Sequence, residues 1–281
     1  MRIERLLKII EEVLPPVSGM EEDRIGLQIQ GGRKNISKIL ITMEIDDYVI
    51  KEAISKKTEC IICFHPLIYH PLLSISEDSR VGRLSSKLIK NSISLIVVHT
   101  NFDSYSEGTS RLLADRLNLE TIDFLVQNPK FKNKGMGIIA KPKKPVTGRE
   151  LLNSVQKICN SPIRHSPWND TKKIKTIAIV GGSGSMFIQN AINAGVDAFI
   201  TADISYHHFH EANGKMMLID PGHYEMEQFV PNGLLKLLKH ELKTERDIKI
   251  NLSNVFTNPV RYFPDTEKYI RLQKNYLINN N

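Results

Sequence analysis

The stretch IDPGHYEMEQF, residues 219–229, ends a short apolar run at Pro221-Gly222 and then sets His223 and Glu227 four residues apart. Positions four apart share a helical face, whereas Glu225 points away from both. A helix start that welcomes acidic side chains near its positive end is one account of the pattern. A pair of metal ligands is the other, because imidazole and carboxylate together suit a divalent transition ion: zinc, iron, manganese, cobalt or nickel. Two further clusters have the same chemistry. His65 follows ECIICF (59–64), and His99 with Asp103 follows SLIVV (94–98). An Asp and a Glu able to bridge could hold two ions about 3.5–4 Å apart, as dinuclear hydrolytic centres do.

All three clusters stand just past the carboxyl ends of expected strands, the edge at which open parallel sheets bind ligands. ISKILITMEI (36–45) reads as a buried strand and DDYVIKEAISKK (46–57) as a helix begun by an Asp cap. ECIICF is the next strand, stopped by His65-Pro66; a helix around 80–91 leads into the strand SISLIVVHT (92–100), and 101–119 is a polar loop entering a helix. GMGIIAKP (135–142) reads as a strand and TGRELLNSVQKIC (147–159) as a capped helix. Residues 174–203 read as strand, glycine turn, helix and strand, and KMMLID (215–220) as one more strand. This alternation predicts an α/β protein with largely parallel sheets. Two α/β lobes are expected, residues 1–124 plus 223–281 and residues 125–222, with a polar tail after Phe263 that frays at its end.

The 281 residues are 41% hydrophobic, enough for a sizeable core. Apolar runs all fall short of the ~20 residues a membrane helix needs. MRIERLLKIIEEVLPP spaces Ile3, Leu6, Leu7, Ile10 and Leu14 along one helical face, and its interleaved charges do not suit a secretory signal. A soluble, cytoplasmic protein with no membrane partner is expected. Cys60 and Cys63 form a CxxC inside an apolar strand, where positions three apart face opposite sides, so they read as core. The net charge of +7 is local: residues 125–175 hold twelve Lys and Arg against Glu150 and Asp170. Such a surface attracts a phosphorylated small molecule or nucleic acid, or is simply solvated. Phe131 and Trp168 are its few aromatic residues, so stacking on single strands has little support. Gly182 and Gly184 open a helix after a strand, with Asp203 ~20 residues on, as in a dinucleotide fingerprint. Phe187 stands where the third glycine belongs, which favours a tight turn instead.

Six motifs in order, GLQIQG (26–31), FHPLIYHPL (64–72), HTNFDSYSEG (99–108), GGSGS (181–185), TADISYH (201–207) and GHYEMEQF (222–229), resemble the Nif-three-like family. Its members are also labelled GTP cyclohydrolase I type 2 homologues. The resemblance runs from about residue 5 to TNPVRYF (257–263). It implies two α/β lobes, a dinuclear metal site in the cleft between them, and toroidal homohexamers. The matching ligand positions are His65, Asp103, His223 and Glu227, with His99 beside them. Asp103 and Glu227 would bridge, and His65 and His223 would bind terminally. His207 matches a family histidine near the cleft and, with Asp203, is placed against substrate or behind the ligands.

Three departures stand out. Where relatives carry two adjacent histidines before the Pro, this chain has Phe64-His65; Asp23-Arg24 replaces Asp-Asn; and TADI replaces Thr-Gly-Asp. One to two ions per chain are therefore expected. The resemblance implies a metal-dependent hydrolase acting on a nucleotide, and the alternative is a non-enzymatic metal-binding toroidal scaffold or interaction protein.

Overall fold

The computed structural model describes residues 1–169 and 171–263, so the expected frayed tail lies outside the described residues. The chain opens with α1 (Ile3–Val13), β1 (Gly26–Ile29), β2 (Lys38–Thr42), α2 (Asp47–Ser55), β3 (Cys60–Cys63), α3 (Arg80–Lys90), β4 (Ser94–Val97) and the short α4 (Thr100–Asp103). It continues through α5 (Thr109–Arg116), β5 (Leu119–Gln127), β6 (Gly135–Pro142), α6 (Gly148–Cys159), β7 (Arg164–His165) and β8 (Ile177–Ile179). After these come α7 (Ile188–Asn193), β9 (Ala198–Ile200), α8 (Tyr206–Glu211), β10 (Met217–Asp220) and α9 (His223–Glu227). The last described elements are α10 (Val230–Glu241) and β11 (Lys249–Leu252). Among the described residues, no helix is long and apolar enough to cross a membrane.

These elements form two compact units: Met1–Phe102 with Val230–Pro259, and Asp103–Phe229 with the described residues from Val260 on. The divisions fall earlier than residue 125 and later than residue 222, where the sequence placed them. The reason is packing. β5 pairs with β6 along most of its length, and Met226 and Phe229 sink into the core of the second unit, so both segments stay there.

The first unit holds a five-stranded sheet of order β1-β4-β3-β2-β11, parallel except for β1 against β4. β3 and β4 are buried along their whole length, which is why CIIC and SLIV lack a polar alternation. Leu40, Ile61, Cys63, Leu95 and Val97 join Val49, Ile50 and Ala53 of α2 and Leu84 and Leu88 of α3 in one core. Each such aliphatic side chain contributes roughly 1.5–3 kcal/mol when taken from water. α2 starts where the Asp46 carboxylate accepts the Val49 amide at 2.7 Å. Cys60 and Cys63 are wholly buried strand residues, and burial alone pushes the Cys60 thiol up to about 12.

The second unit holds a six-stranded sheet of order β5-β6-β8-β9-β10-β7. Only β8–β9 and β9–β10 are parallel, so this sheet is mixed where the sequence suggested a largely parallel one. A short loop makes β5 and β6 a hairpin, and hairpins are antiparallel by necessity. Alternate residues of the central strands face opposite ways: Ile177, Ile179, Ile200 and Ile219 join the α5–α6 side, and Ala178, Phe199 and Leu218 the α7 side. The parallel trio leaves three loops at one sheet edge, after β8, β9 and β10. Those loops carry the glycine turn, Asp203 and His223.

Candidate metal centre

In the first unit, parallel pairing of β2 and β3 puts the residues after each strand side by side. The His65 amide bonds the Met43 carbonyl at 2.9 Å. The His65 Nδ1 then lies 2.6 Å from Glu44 Oε1. His99, two residues past β4, repeats the arrangement: its Nδ1 is 2.8 and 2.9 Å from the two Asp23 oxygens. Asp23 also accepts the Thr100 amide at 3.1 Å and the Arg24 amide at 2.7 Å. Burial alone would raise the Asp23 carboxyl, but the hydrogen bond and charge of His99, with the Thr100 hydroxyl and Arg24 amide, hold it well below the usual range. The His65 and His99 rings meet edge to face with centroids 5.5 Å apart. Phe64 is fully buried against both imidazoles, 4.8 Å from His65 and 5.5 Å from His99, and against Phe102.

In the second unit, α9 presents His223 and Glu227 on one face, as their spacing predicts. Asp203 Oδ2 lies 2.6 Å from His223 Nδ1, and Glu227 Oε2 lies 3.1 Å from His223 Nε2. Burial would lower the His223 value, yet Asp203 and Glu227 together raise it to about 11. The imidazole is thus a cation gripped at both nitrogens by carboxylates. Asp203 has a left-handed backbone (φ 54°), an uncommon state for a non-glycine residue that marks a constrained position. The His223 hydrogen bond, foremost among several causes, keeps its carboxyl low. Asp103 accepts the Thr109 hydroxyl at 2.5 Å, and the next residue, Ser110, accepts the Gly181 amide at 3.1 Å.

The glycine turn is part of this construction. Gly182 has φ +61°, and a Cβ there would stand 2.5 Å from Glu227 Oε1 and 3.2 Å from His223 Nε2. A Cβ on Gly181 would collide with the Thr109 side chain. The turn therefore admits two site side chains against its backbone, and a nucleotide-binding role finds no support in it. His207 lies on the exposed side of α8 with its ring against Tyr206, and His208 Nδ1 meets Ser205 Oγ at 3.1 Å.

Within the second unit, His223 and Glu227 set an imidazole and a carboxylate together as candidate metal ligands, and within the first unit His65 is a candidate ligand of its own. The donors fit a transition ion. His65 and His223 each give Nδ1 to a carboxylate, the arrangement that orients Nε2 for a metal. Sequence reasoning missed Glu44 and Thr109, saw the glycine turn without its contact to Glu227 and His223, and named Asp23 only within a family departure. The one sequence signal for them was position, since all stand within a few residues of a strand's carboxyl end or a named motif.

Similar proteins match most of this chain. A Clostridium perfringens protein named GTP cyclohydrolase 1 type 2 homolog is 29% identical, over 93% of this chain and 100% of its own. A Clostridium acetobutylicum protein of the same name is 29% identical over 81% of this chain and 85% of its own. The crystal structure of a Staphylococcus aureus hypothetical protein superposes with a TM-score of 0.85 at 26% identity, covering 94% of this chain and 99% of that one. The model of the family Duf34/NIF3 (NGG1p interacting factor 3) matches residues 1–259, and the chain belongs to that family.

Proposed function

We propose that the protein binds one to two divalent transition metal ions through His65, Asp103, His223 and Glu227, with His99 beside them. On this reading it hydrolyses a nucleotide or related phosphorylated small molecule. The observation that carries the proposal is the line Asp203–His223–Glu227, in which one imidazole has a carboxylate at each nitrogen. His223 Nε2 and the Glu227 carboxylate would hold the ion, and Asp203 would keep its hold on Nδ1.

When bound, the metal supplies Lewis acidity and lowers the pKa of a coordinated water towards ~7. The chain's own contributions are positional. Asp203 and Glu44 fix ring tautomers, Gly182 sets the Glu227 carboxylate, and Thr109 orients Asp103. The relatives' name suggests a cyclohydrolase-type reaction at the purine carbon between two nitrogens. Exposed lysines of residues 125–175 are available to phosphates. We further propose a homohexamer, by the family resemblance, and a cytoplasmic setting, with which three free, buried cysteines agree.

A second reading, a metal-binding scaffold without turnover, is favoured by Phe64, a buried phenyl ring where the family resemblance implies another imidazole. Metal analysis of the purified protein, followed by turnover assays on GTP and other nucleotides with defined metals, separates the two. Metal with turnover supports the enzyme, and metal without turnover supports the scaffold. A metal-free protein, or Asp103→Asn and Glu227→Gln variants that retain as much metal as wild type, would overturn the site.

A further inference from the structure

Asp220 ends β10, three residues before the helix that begins at His223, and has no part in the candidate metal site itself. Its side chain is buried, at 3% exposure. Its two oxygens serve different loops. Oδ1 accepts the Gly222 amide at 3.0 Å, in the loop after β10. Oδ2 accepts the Ile204 amide at 3.2 Å, in the loop after β9. Ile204 follows Asp203 directly, and Gly222 precedes His223 directly. One buried carboxylate therefore ties together the two backbone segments whose adjoining residues form the Asp203–His223 pair.

That pair needs outside support. The Asp203 and His223 side chains are 52% and 36% exposed, and exposed ion pairs contribute little on their own. Both supporting backbones are in the left-handed region, Asp203 at φ 54° and Gly222 at φ 91°. Asp220 is held in turn by Arg164 of β7, whose guanidinium bonds the Asp220 carboxylate and, at 2.9 Å, the Ile204 carbonyl. The Ser161 hydroxyl also donates to the Pro221 carbonyl at 2.5 Å, fixing the residue between Asp220 and Gly222.

We infer that Asp220, braced by Arg164, is a positioning residue that fixes the distance between Asp203 and His223 and so the direction of His223 Nε2. The inference rests on the reading of His223 as a metal ligand. Second-sphere partners of ligating histidines typically change affinity by about 10–100-fold. Asp220 acts one step further out, through backbone, so a loss near the lower figure is expected.

The test uses full-length, metal-stripped protein carrying Asp220→Asn, Arg164→Gln or, as a control, Leu151→Ala in the same unit's core. Zinc titration calorimetry gives affinity. Proton NMR follows the downfield Nδ1–H resonance of His223, assigned by its loss in His223→Gln. Asp220→Asn should weaken zinc binding about tenfold and shift or broaden that resonance, with Arg164→Gln doing the same to a smaller degree. Leu151→Ala should lower thermal stability and leave both readouts unchanged. Unchanged affinity and resonance in Asp220→Asn would overturn the inference, as would an equal loss in Leu151→Ala. If Asp220→Asn does not fold, Arg164→Gln, changed at a largely exposed side chain, decides by the same two readouts. A wild type that takes no zinc refutes the metal reading, while the resonance still decides whether Asp220 sets the Asp203–His223 pair.

Discussion

His99 Nδ1 lies 2.8 Å from Asp23 Oδ1. His65 with Glu44 and His223 with Asp203 repeat the relationship, each at 2.6 Å. An ionised carboxylate only accepts, so each Nδ1 must carry the proton and each Nε2 is the atom left for a ligand. Asp23 makes the pattern testable by pH. Its folded carboxyl is depressed, so the unfolded chain binds more protons between the folded value and about 3.9. That contribution is complete above the unfolded value and is lost as pH falls through the folded one. Asp23→Asn should cost about 1–3 kcal/mol at pH 7, with the gap to wild type shrinking in acid. Urea denaturation of metal-free protein across that range measures it, and a gap independent of pH would remove Asp23 from the account.

His223 predicts proton release. In the metal-free fold its value is raised to about 11, so it is charged at neutral pH. This raised value stabilises the metal-free protein fully below the unfolded value of about 6.5, and the contribution is lost as pH rises through the folded value. A metal at Nε2 must displace the proton. Zinc uptake at pH 7 should therefore release about one proton that His223→Gln does not release, and affinity should rise with pH. Calorimetry in buffers of different ionisation enthalpy counts the protons. Equal release by the variant means that Nε2 is not a ligand.

Gly182→Ala combines two penalties. A φ of +61° strains an alanine, and its Cβ would fall 2.5 Å from Glu227 Oε1. The backbone penalty alone should exceed about 1 kcal/mol, and the displaced carboxylate should also weaken metal binding. A matched Gly195→Ala has φ +66° but open space around its Cβ. It should lose stability and keep metal affinity, so equal affinities in the two variants would reject the cradle.

What could be read beforehand followed from local rules. The buried runs CIIC and SLIV, the Asp46 cap and the His223–Glu227 spacing are each set within a few residues, so the strands, α2 and the helical pair were legible. β5 was not: Glu120 and Asp123 break its apolar alternation, and its pairing register shifts between Thr121 and Asp123. β11 is an edge strand, exposed and half-exposed in turn, with little apolar signal. Glu44 and Asp203 become partners of His65 and His223 only when parallel strands stand side by side. No spacing along the chain encodes that contact. Gly182 was visible as a turn, but its neighbours Glu227 and His223 arrive from far along the sequence.

The lysines of residues 125–175 divide by burial. Lys143, Lys144, Lys172 and Lys173 are exposed, whereas Lys134 is buried with its ammonium 5.0 Å from the Tyr105 ring. Burial brings the Lys134 value down to about 8. Changing the four exposed lysines to Glu should leave the fold intact and remove salt-sensitive binding of nucleotide or nucleic acid. Fluorescence titration with labelled GTP and labelled RNA at rising salt distinguishes the ligands. Affinity untouched by the reversal leaves these lysines as a solvated face.

Phe64 stands where the family resemblance implies a second histidine, and its surroundings decide what a histidine there would do. The phenyl ring is fully buried and touches the rings of His65, His99 and Phe102. It keeps water from the side of both imidazoles that it covers. In Phe64→His an imidazole enters that apolar slot, where an unsatisfied polar group costs about 1–3 kcal/mol. The metal-free variant should therefore melt below wild type. If position 64 faces the ions, added zinc should recover that loss and raise the stoichiometry towards two per chain, because ligation satisfies the new nitrogen. Melting curves with and without zinc, together with titration calorimetry, read both effects. A variant that stays destabilised in zinc and binds the same number of ions as wild type would mean that Phe64 only packs the core behind His65 and His99, and the second ion would have to be sought without it.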